Sequence, residues 1–260
     1  MEGARFERVS ARRPDLRLPL PPQFSSRLEG QTVAALERRA KYLVATLSSG
    51  EILLMHLGMS GSFRVEQLKG TPGGPLSLDF DKHDHVVFEM SSGAVVVFND
   101  PRRFGLMKLI PAAAAGQDAT LAALGPEPLD RAFGALVLAR ALRGRKTPLK
   151  TALLDQRVVA GLGNIYACEA LHRARLSPKR RASTLVSRSG EPTPAAVALA
   201  GTIRTVLTEA IDRASRDYRG QRFRVYDREG ERCPRRGCTG SIKRIVQAGR
   251  STFFCPVCQR

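Results

Sequence analysis

The stretch LKTALLDQRVVAGLGNIYACEAL, residues 149–171, decides how the second half of the chain is interpreted. Apolar residues recur at helical spacing on both sides of Gly161 and Gly163, and two glycines so close together permit a tight turn. Asn164 follows as the N-cap candidate of a helix that starts at Ile165. Exposed N–H groups at such a helix start bind phosphate well, although an ordinary helical hairpin would have the same pattern.

The C-terminal end contains a second motif, made of four of the five cysteines in the chain. Four residues separate the first pair, two residues separate the last pair, and sixteen residues lie between the pairs. This spacing is typical of two knuckles that converge on one tetrahedral Zn²⁺, and a reducing cytosol disfavours disulfides. We predict one structural zinc ion with the ligands Cys233, Cys238, Cys255 and Cys258. Cys168, in a helical pattern, is expected to be a packed residue.

The composition favours a polyanionic partner. There are 42 Lys and Arg residues against 24 Asp and Glu, which gives a formal net charge of +18. Each phosphate that a cation neutralises releases counterions, so this excess indicates nucleic acid, although a basic soluble protein without such a partner would also fit. A hydrophobic content of 43% excludes a wholly disordered chain. No uninterrupted apolar run reaches the roughly 18 residues of a membrane span, and the N-terminus lacks the apolar core of a signal peptide.

Roughly the first 110 residues have short β-type runs with turn signals between them and no helical pattern, which predicts an antiparallel β-sandwich. These runs are residues 41–47, 52–57, 86–90 and 94–98. Residues 69–75 (KGTPGGP) are expected to form a flexible loop, and residues 111–125 a linker that leads into a short helix. Helical spacing follows, with an apolar stripe made of Phe133, Leu136, Val137 and Leu142 and a longer one over residues 194–214. A strand pattern returns at residues 222–228.

Two short segments of the first half carry wedge-like and cationic side chains together. HLGMSG (56–61) places Met59 in a glycine-rich turn, and DPRRFG (100–105) combines two arginines with Phe104. Alone, each would be a packing residue or a solvated charge. Together they match the needs of an enzyme that extracts a base, namely cations on the strand and apolar groups that fill the gap in the stack.

In order, the segments RRAKYL (38–43), HLGMSG, KHDH (82–85), DPRRFG, GLGNIYACEAL (161–171) and QAGRSTFFCPVCQR (247–260) resemble the formamidopyrimidine-DNA glycosylase/endonuclease VIII family of base-excision repair enzymes. The resemblance covers nearly the whole chain. It implies a bifunctional DNA glycosylase/AP lyase that flips and removes oxidised bases, such as 8-oxoguanine and formamidopyrimidines, and nicks the strand by β/δ-elimination. The implied partner is damaged double-stranded DNA, bound by a monomer in the bacterial cytoplasm and associated with the nucleoid, with no membrane.

The implied fold is α+β, with an N-terminal antiparallel β-sandwich and a C-terminal helix-two-turn-helix domain that carries a zinc-finger β-hairpin. We place the sandwich at residues 1–112, a linker at 113–125, the helix-two-turn-helix domain at 126–218 and the zinc finger at 219–260.

The resemblance also implies roles for individual residues. Lys41 matches the lysine that assists β-elimination and contacts the phosphate near the lesion. Arg250, at the tip of the finger hairpin, matches the arginine that binds the flanking phosphate and acts in δ-elimination. Three residues match those inserted into the duplex: Met59 fills the vacated space, Arg102 addresses the orphaned base and Phe104 wedges the stack. The other DNA-contacting positions are His83, Arg145, Lys150 and Asn164.

The chain departs from the family at its first residues. Family members begin Met-Pro-Glu-Leu-Pro-Glu-Val-Glu, and the proline amine attacks the sugar to form an imine. This sequence begins MEGARFERV, so we expect a segment of about 15 residues, one helix, to be absent. A start codon assigned too far downstream explains this best, because Lys41 and Arg250 are both retained. The alternatives are a catalytically inactive protein that binds damaged or abasic DNA and, more distantly, a zinc-ribbon RNA-binding or transcription factor.

A second departure concerns the loop over residues 214–226, which is shorter than the lid that family members specialised for oxidised purines use to close over the flipped base. Oxidised purines remain the favoured substrates, and oxidised pyrimidines are the alternative substrate class.

Overall fold

The computed structural model describes residues 1–67, 79–214 and 223–260, which form two compact units, Met1–Ala122 and Ala123–Arg260. The boundary between the units falls inside the predicted linker. The loop predicted at residues 69–75 lies outside the described residues, as do residues 215–222 of the loop expected over 214–226.

In the part of the first unit that the structure describes, two four-stranded antiparallel sheets form a sandwich. One sheet has the strand order β1-β6-β7-β5 and the other β2-β3-β4-β8. The strands are β1 (Phe6–Ala11), β2 (Val33–Arg39), β3 (Tyr42–Leu47), β4 (Glu51–His56), β5 (Ser62–Gln67), β6 (Asp84–Met90), β7 (Ala94–Asn99) and β8 (Leu106–Pro111). The predicted antiparallel sandwich is therefore confirmed.

The core of the sandwich lies between the two sheets, where Phe6, Leu53 and Phe88 are completely buried. A short helix, α1 (Phe24–Leu28), adds its two buried end residues to the same core. Each such side chain stabilises the fold by about 1.5–3 kcal/mol relative to an exposed one. Strands β6 and β7 are buried on both faces, because Val87, Val95 and Val97 form a second small cluster on the other side of their sheet.

The four predicted runs coincide with β3, β4, β6 and β7, which are the most continuously apolar strands. The other four strands were not predicted. Strand β1 has only two buried residues and a register shift, and β5 is an edge strand with no buried residue. Their sequences therefore lack the regular apolar alternation on which the prediction depended. The end of the unit is a 3₁₀ helix (Ala112–Gln117) followed by α2 (Ala119–Ala122).

The described residues of the second unit form four α-helices and one two-stranded hairpin. The helices are α3 (Ala135–Leu142), α4 (Leu149–Leu154), α5 (Asn164–Arg173) and α6 (Pro194–Ala214), with a 3₁₀ helix at Ala182–Leu185; the hairpin strands are β9 (Lys243–Gln247) and β10 (Arg250–Phe254). Helices α4 and α5, with the turn between them, reproduce the predicted helix, glycine turn and helix. The α+β fold class is confirmed.

Three local predictions are wrong. Leu136 was placed in the apolar stripe of α3 but is 42% exposed, because the buried face of this helix is Leu138, Ala139 and Leu142. The N-cap of α5 is Gly163, so Asn164 is its first residue and does not cap it. Of the strand predicted at residues 222–228, the described part forms turns instead.

Helix α6 is long and apolar enough, by length and composition, to resemble a membrane span. Its buried residues recur at helical spacing and belong to the core of the second unit, as Leu199, Ile203 and Val206 show. Arg204, in the same helix, donates to the Phe133 carbonyl at 2.6 Å. These contacts are those of a helix that packs one face into the core of a folded domain.

Candidate nucleic-acid interface and metal centre

A buried carboxylate in the first unit joins the two segments that carry wedge-like side chains. Asp100 is completely buried. Its Oδ1 accepts a hydrogen bond from the Ser60 hydroxyl at 2.7 Å, and its Oδ2 accepts one from the Gly105 N–H at 2.7 Å. Hydrogen bonds to a charged acceptor are stronger than neutral ones, so this carboxylate fixes the loop after β4 to the turn after β7.

The same two segments touch through a glycine that no other residue could replace without strain. Gly58 has φ +66°, and a Cβ at this position would lie 2.4 Å from the backbone carbonyl carbon of Phe104. The turn after β7 also contains Arg103 in a left-handed conformation with φ 54°. The two segments therefore form one preorganised surface.

Three side chains that the sequence singled out project together from this surface, and we call them the wedge: Met59, Arg102 and Phe104. Met59 is 72% exposed and Phe104 is 42% exposed. The Arg102 guanidinium lies over the Phe104 ring, 4.7 Å from its centroid, in a cation–π contact. Exposed large apolar side chains held on a rigid base mark an interaction site rather than a folding requirement.

His83 lies beside the wedge, just before β6. Its carbonyl accepts the Asp100 N–H at 2.9 Å, and its ring lies 6.3 Å from that of His85. His85 is buried and its Nε2 is 2.9 Å from the Asp100 carbonyl oxygen, which fixes a proton on Nε2. His83 itself is half-buried. The structure thus brings His83 next to the turn that carries Arg102.

Lys41 immediately precedes β3 and lines a cleft of about 400 Å³ in the first unit. It follows Ala40, whose φ of 55° places the lysine at a tight turn between β2 and β3. The walls of the cleft are mostly apolar. They comprise Ala40, Tyr42, Leu43, Met55, His56, Leu57 and Gly58, with Arg38 and Lys41 as the charged members.

His56 is a residue of this cleft that the sequence did not single out. Its Nδ1 accepts the Gly58 N–H at 2.9 Å, and its ring packs 4.8 Å from that of Tyr42. Burial, and then the charges of Lys41 and Arg17, lower the pKa of His56. The cleft therefore combines a lysine with a neutral imidazole. In the sequence, His56 is the first residue of HLGMSG. Its role became apparent only from its position beside Lys41 in the fold.

In the second unit, the four predicted zinc ligands come together. The Sγ atoms of Cys233, Cys238, Cys255 and Cys258 all lie within 4.8 Å of one another. The Sγ distances are 3.8 Å from Cys233 to Cys258 and 3.6 Å from Cys238 to Cys255. A tetrahedral site with Zn–S bonds of about 2.3 Å requires sulfur separations of about 3.8 Å, so the four thiolates fit one zinc ion.

The hairpin between the knuckles carries Arg250 at its turn. Ala248 and Gly249 adopt left-handed backbone conformations, and Arg250, paired with Gln247, opens β10 with its side chain exposed. A guanidinium on so short a turn has little backbone freedom, so its fork can meet a phosphate in a fixed orientation.

Lys150 and Asn164 do not present free polar groups to solvent. Lys150 is completely buried, and its Nζ donates to Thr252 Oγ1 at 2.8 Å and to the Ser251 carbonyl at 3.2 Å. Asn164 donates to the same carbonyl at 3.0 Å. Burial lowers the pKa of Lys150, and the nearby Arg250 lowers it further. Both predicted DNA contacts thus hold β10 immediately beside Arg250.

Arg145, another predicted DNA contact, is engaged in an ion pair. Its Nη1 lies 3.0 Å from Asp155 Oδ2, and its Nε donates to the Ala141 carbonyl at 2.9 Å. Asp155 also accepts hydrogen bonds from Arg157, which are the main reason that its pKa falls to about 2. The Arg145 side chain remains 34% exposed.

Glu169 is a second residue that the sequence did not single out. It is 4% exposed, and its carboxylate accepts the N–H groups of residues 224, 225 and 226 at 2.9–3.1 Å. These bonds replace the strand pairing predicted there. The carboxylate also lines a polar cavity of about 250 Å³ with Tyr166, Arg173, Glu209, Phe223 and Arg224. In the sequence, the only indication of this role was a glutamate inside the otherwise apolar pattern CEAL (168–171).

Three family models match the chain in order. They are the formamidopyrimidine-DNA glycosylase N-terminal domain at residues 1–107, the H2TH domain of the same enzyme at residues 124–220, and the zinc finger found in FPG and IleRS at residues 230–260. Together they extend over most of both units and over the four-cysteine site.

Curated relatives match along the full chain. The formamidopyrimidine-DNA glycosylase of Rhodopseudomonas palustris (strain HaA2) is 59% identical over 276 residues, covering 100% of this chain and 94% of the relative. The protein of the same name from Afipia carboxidovorans is 57% identical over 278 residues, with the same coverage.

Solved structures match at lower identity. The Lactococcus lactis formamidopyrimidine-DNA glycosylase, non-covalently bound to DNA with an AP site, has a TM-score of 0.84 at 30% identity, covering 100% of this chain and 94% of that one. The Lactococcus lactis enzyme with Fapy-dG-containing DNA has a TM-score of 0.83 at 30% identity, covering 99% of this chain and 93% of that one.

Proposed function

The chain belongs to the formamidopyrimidine-DNA glycosylase family, and on that premise we propose how its own residues perform the family's reaction. It is a base-excision-repair enzyme, a DNA glycosylase with AP-lyase activity that acts on damaged duplex DNA as a single chain. The main support for the assignment of residue roles is the wedge. Its three exposed side chains project from two segments that Asp100 holds together.

The wedge accounts for the extrusion of a damaged base. Unstacking a base costs a few kcal/mol, and an enzyme recovers this when its own side chains occupy the gap. Met59 is unbranched and polarizable, which suits it to fill the vacated position. Phe104 offers a flat face against the neighbouring base, and the Arg102 guanidinium, stacked on that ring, offers hydrogen-bond donors to the orphaned base.

The cleft at Lys41 accounts for the chemistry at the sugar. A lysine at the cleft can hold the phosphate beside the lesion and assist β-elimination of the strand. His56 is neutral there because its pKa is lowered, so its Nε2–H can donate to a phosphate oxygen without adding charge. In members of the family, the nucleophilic amine is that of an N-terminal proline.

The zinc finger provides a second contact to the damaged strand. Arg250 binds the phosphate that flanks the lesion and acts in δ-elimination. When bound, zinc supplies a rigid tetrahedral anchor for the hairpin and takes no part in the reaction. Lys150 and Asn164 act by fixing the Ser251 carbonyl, which sets the position of Arg250. Arg145 in the second unit and His83 in the first unit add contacts to the DNA backbone.

The substrates we propose are oxidised purines, 8-oxoguanine and formamidopyrimidines. The support comes from the Lactococcus lactis enzyme, which was solved with Fapy-dG-containing DNA, and from a second neighbour solved with carbocyclic 8-oxoguanine DNA, which is 29% identical with a TM-score of 0.84. The curated relatives of this chain are bacterial repair proteins, which is consistent with a cytoplasmic location. Association with the nucleoid is a further proposal, which a fluorescent fusion that follows the DNA would support.

Replacing Arg102 with alanine tests the wedge. We expect discrimination between cytosine and adenine opposite 8-oxoguanine to fall by about 1–3 kcal/mol, five- to 150-fold, because the donors that address the orphaned base are lost. Total affinity for the best duplex should fall less. The measurement is equilibrium binding to duplexes that differ only in the opposite base.

Arg103→Ala is the matched control, since Arg103 is the neighbouring exposed arginine and its Nη1 lies 3.6 Å from Asp15. It should leave the discrimination unchanged. Equal losses of affinity for all duplexes in both variants would contradict the role given to Arg102.

A further inference from the structure

A buried histidine faces one of the zinc ligands. His172 lies in the last turn of α5 and is completely buried. Its Nε2 is 3.4 Å from the Sγ of Cys233. Its Nδ1 has no hydrogen-bond partner among the described residues. A polar ring buried in this way costs free energy unless at least one nitrogen makes a favourable contact, so the sulfur contact requires an explanation.

The chemistry of the two atoms fixes the direction of the bond. A zinc-bound thiolate has lone pairs and no proton, so it can only accept. With the proton on Nε2, the imidazole donates to Cys233, and Nδ1 keeps only an unused lone pair. With the proton on Nδ1, two lone pairs would face each other and a buried N–H would be unpaired. The first arrangement is the one that the burial of His172 favours.

The charge of the metal centre explains why such a donor is needed. Four thiolates and one Zn²⁺ carry a net charge of −2, and an uncompensated buried charge is costly. Cys238 and Cys258 are half-buried beside a cavity of about 430 Å³, which Arg175, Arg235, Arg236 and Arg260 line. Cys233 is only 5% exposed and does not line that cavity, and His172 provides a donor on this enclosed side.

The same helix holds the finger at both of its ends. At the C-terminal end of α5, the Arg235 guanidinium of the first knuckle donates to the His172 carbonyl at 2.8 Å. At the N-terminal end, Asn164 donates to the Ser251 carbonyl, next to Arg250. Ten helical residues span about 15 Å, which is close to the length of a five-residue strand. The hairpin is therefore fixed to one helix at the metal and near its tip.

We propose that His172 is a positioning residue of the zinc centre, which donates its Nε2–H to the Cys233 thiolate, raises the affinity for zinc and fixes the metal end of the finger to α5. The gain in zinc affinity depends only on the four-cysteine site. The consequence for Arg250 rests on the proposed function.

The direct test uses the full chain loaded with ¹¹³Cd in place of zinc and labelled with ¹⁵N. A proton on His172 Nε2 that donates to a metal-bound thiolate should show scalar coupling to ¹¹³Cd through the sulfur. We expect this coupling for His172 and for no other histidine. A His172 ring that is protonated on Nδ1, or that shows no coupling while the four cysteines couple to the metal, would overturn the proposal.

Two variants measure the contribution to zinc binding by competition with a chelator. His172→Leu keeps a similar volume but has no donor, and we expect its zinc dissociation constant to rise about tenfold or more, as for other partners of metal ligands. His172→Gln retains an N–H donor and should lose less. Leu171→Ala removes volume from the same helix without touching sulfur, and should lower stability with zinc affinity unchanged. Wild-type zinc affinity in His172→Leu would contradict the proposal, and the cadmium measurement needs no variant to fold.

Discussion

The wedge of the first unit and the finger of the second unit present exposed side chains on rigid supports, but the supports differ. The wedge is held by one buried carboxylate, Asp100, and by a glycine that allows two segments to touch. The finger is held by four thiolates that converge on one point and by hydrogen bonds from α4 and α5 to Ser251. The hydrogen bonds of Asp100 can be lost one at a time, whereas a metal centre loses its ion when one ligand is removed.

This difference predicts that the two supports fail separately, and the largest failure should be at the metal. Cys255→Ser removes one ligand, so we expect bound zinc to fall from about one ion per chain to nearly none, with loss of damage-specific DNA binding. Structural zinc contributes about 10–16 kcal/mol to the folding of small zinc fingers, which is why no partial effect is expected. The measurements are zinc content by mass spectrometry and binding to a duplex that contains an abasic-site analogue.

Cys168→Ala is the control for Cys255→Ser, since Cys168 is also buried but is not among the four clustered thiols. It should retain zinc. Full zinc content in the Cys255 variant would count against the four-cysteine site.

The next largest effect should come from the wedge support. Asp100→Ala removes two hydrogen bonds to a buried carboxylate, each worth about 1.5–3 kcal/mol. We expect affinity for the abasic duplex to fall at least tenfold while zinc content stays unchanged. Asp79→Ala, at an exposed position outside this network, is the control. Wild-type affinity in the Asp100 variant would show that the wedge does not depend on its lock.

Lys150 provides a further test of this comparison, because it is a cation whose hydrogen bonds help to hold the finger. In Lys150→Ala, Thr252 Oγ1 and the Ser251 carbonyl lose a donor, so we expect binding to weaken by about 1–3 kcal/mol, five- to 150-fold. The dependence of affinity on salt should stay unchanged, since a buried amine displaces no counterion. Binding titrations at several salt concentrations provide the measurement.

Lys146→Ala removes an exposed lysine from the same part of the chain and is the matched control. A lysine that contacts phosphate should lower the slope of log affinity against log salt by about one when it is removed. If Lys150→Ala lowers the slope in that way, Lys150 contacts phosphate directly and its role as a support is wrong.

The smallest effect concerns acid stability near Arg145. Hydrogen bonds, mainly from Arg157, depress the pKa of Asp155 to about 2, so the ionised carboxylate stabilises the fold above about pH 4. That stabilisation is lost as the pH falls through about 2. We expect Asp155→Asn to lower the melting temperature by a few degrees at pH 7. The difference from wild type should shrink towards pH 2 in thermal unfolding, and a difference independent of pH would contradict the assignment.

The sequence predicted those parts of the site whose residues lie close together along the chain. Cysteine spacing predicted the metal ligands, and two short turns predicted the wedge. It did not predict that Lys150 is buried, because its partner Thr252 lies in a distant hairpin. Asp100, Glu169 and His172 were also missed as supports, because a buried polar residue is recognised only when its partners are known. Strand β5 was missed because an exposed edge strand needs no apolar alternation.

The central claim is that this chain is a damage-specific glycosylase and lyase, and trapping of the imine tests it most directly. The protein, produced from its natural gene, would be incubated with 8-oxoguanine duplex and reduced with borohydride. We predict a covalent protein–DNA adduct with that duplex and none with undamaged DNA. A zinc-loaded, folded protein that forms no adduct with 8-oxoguanine DNA would contradict the account.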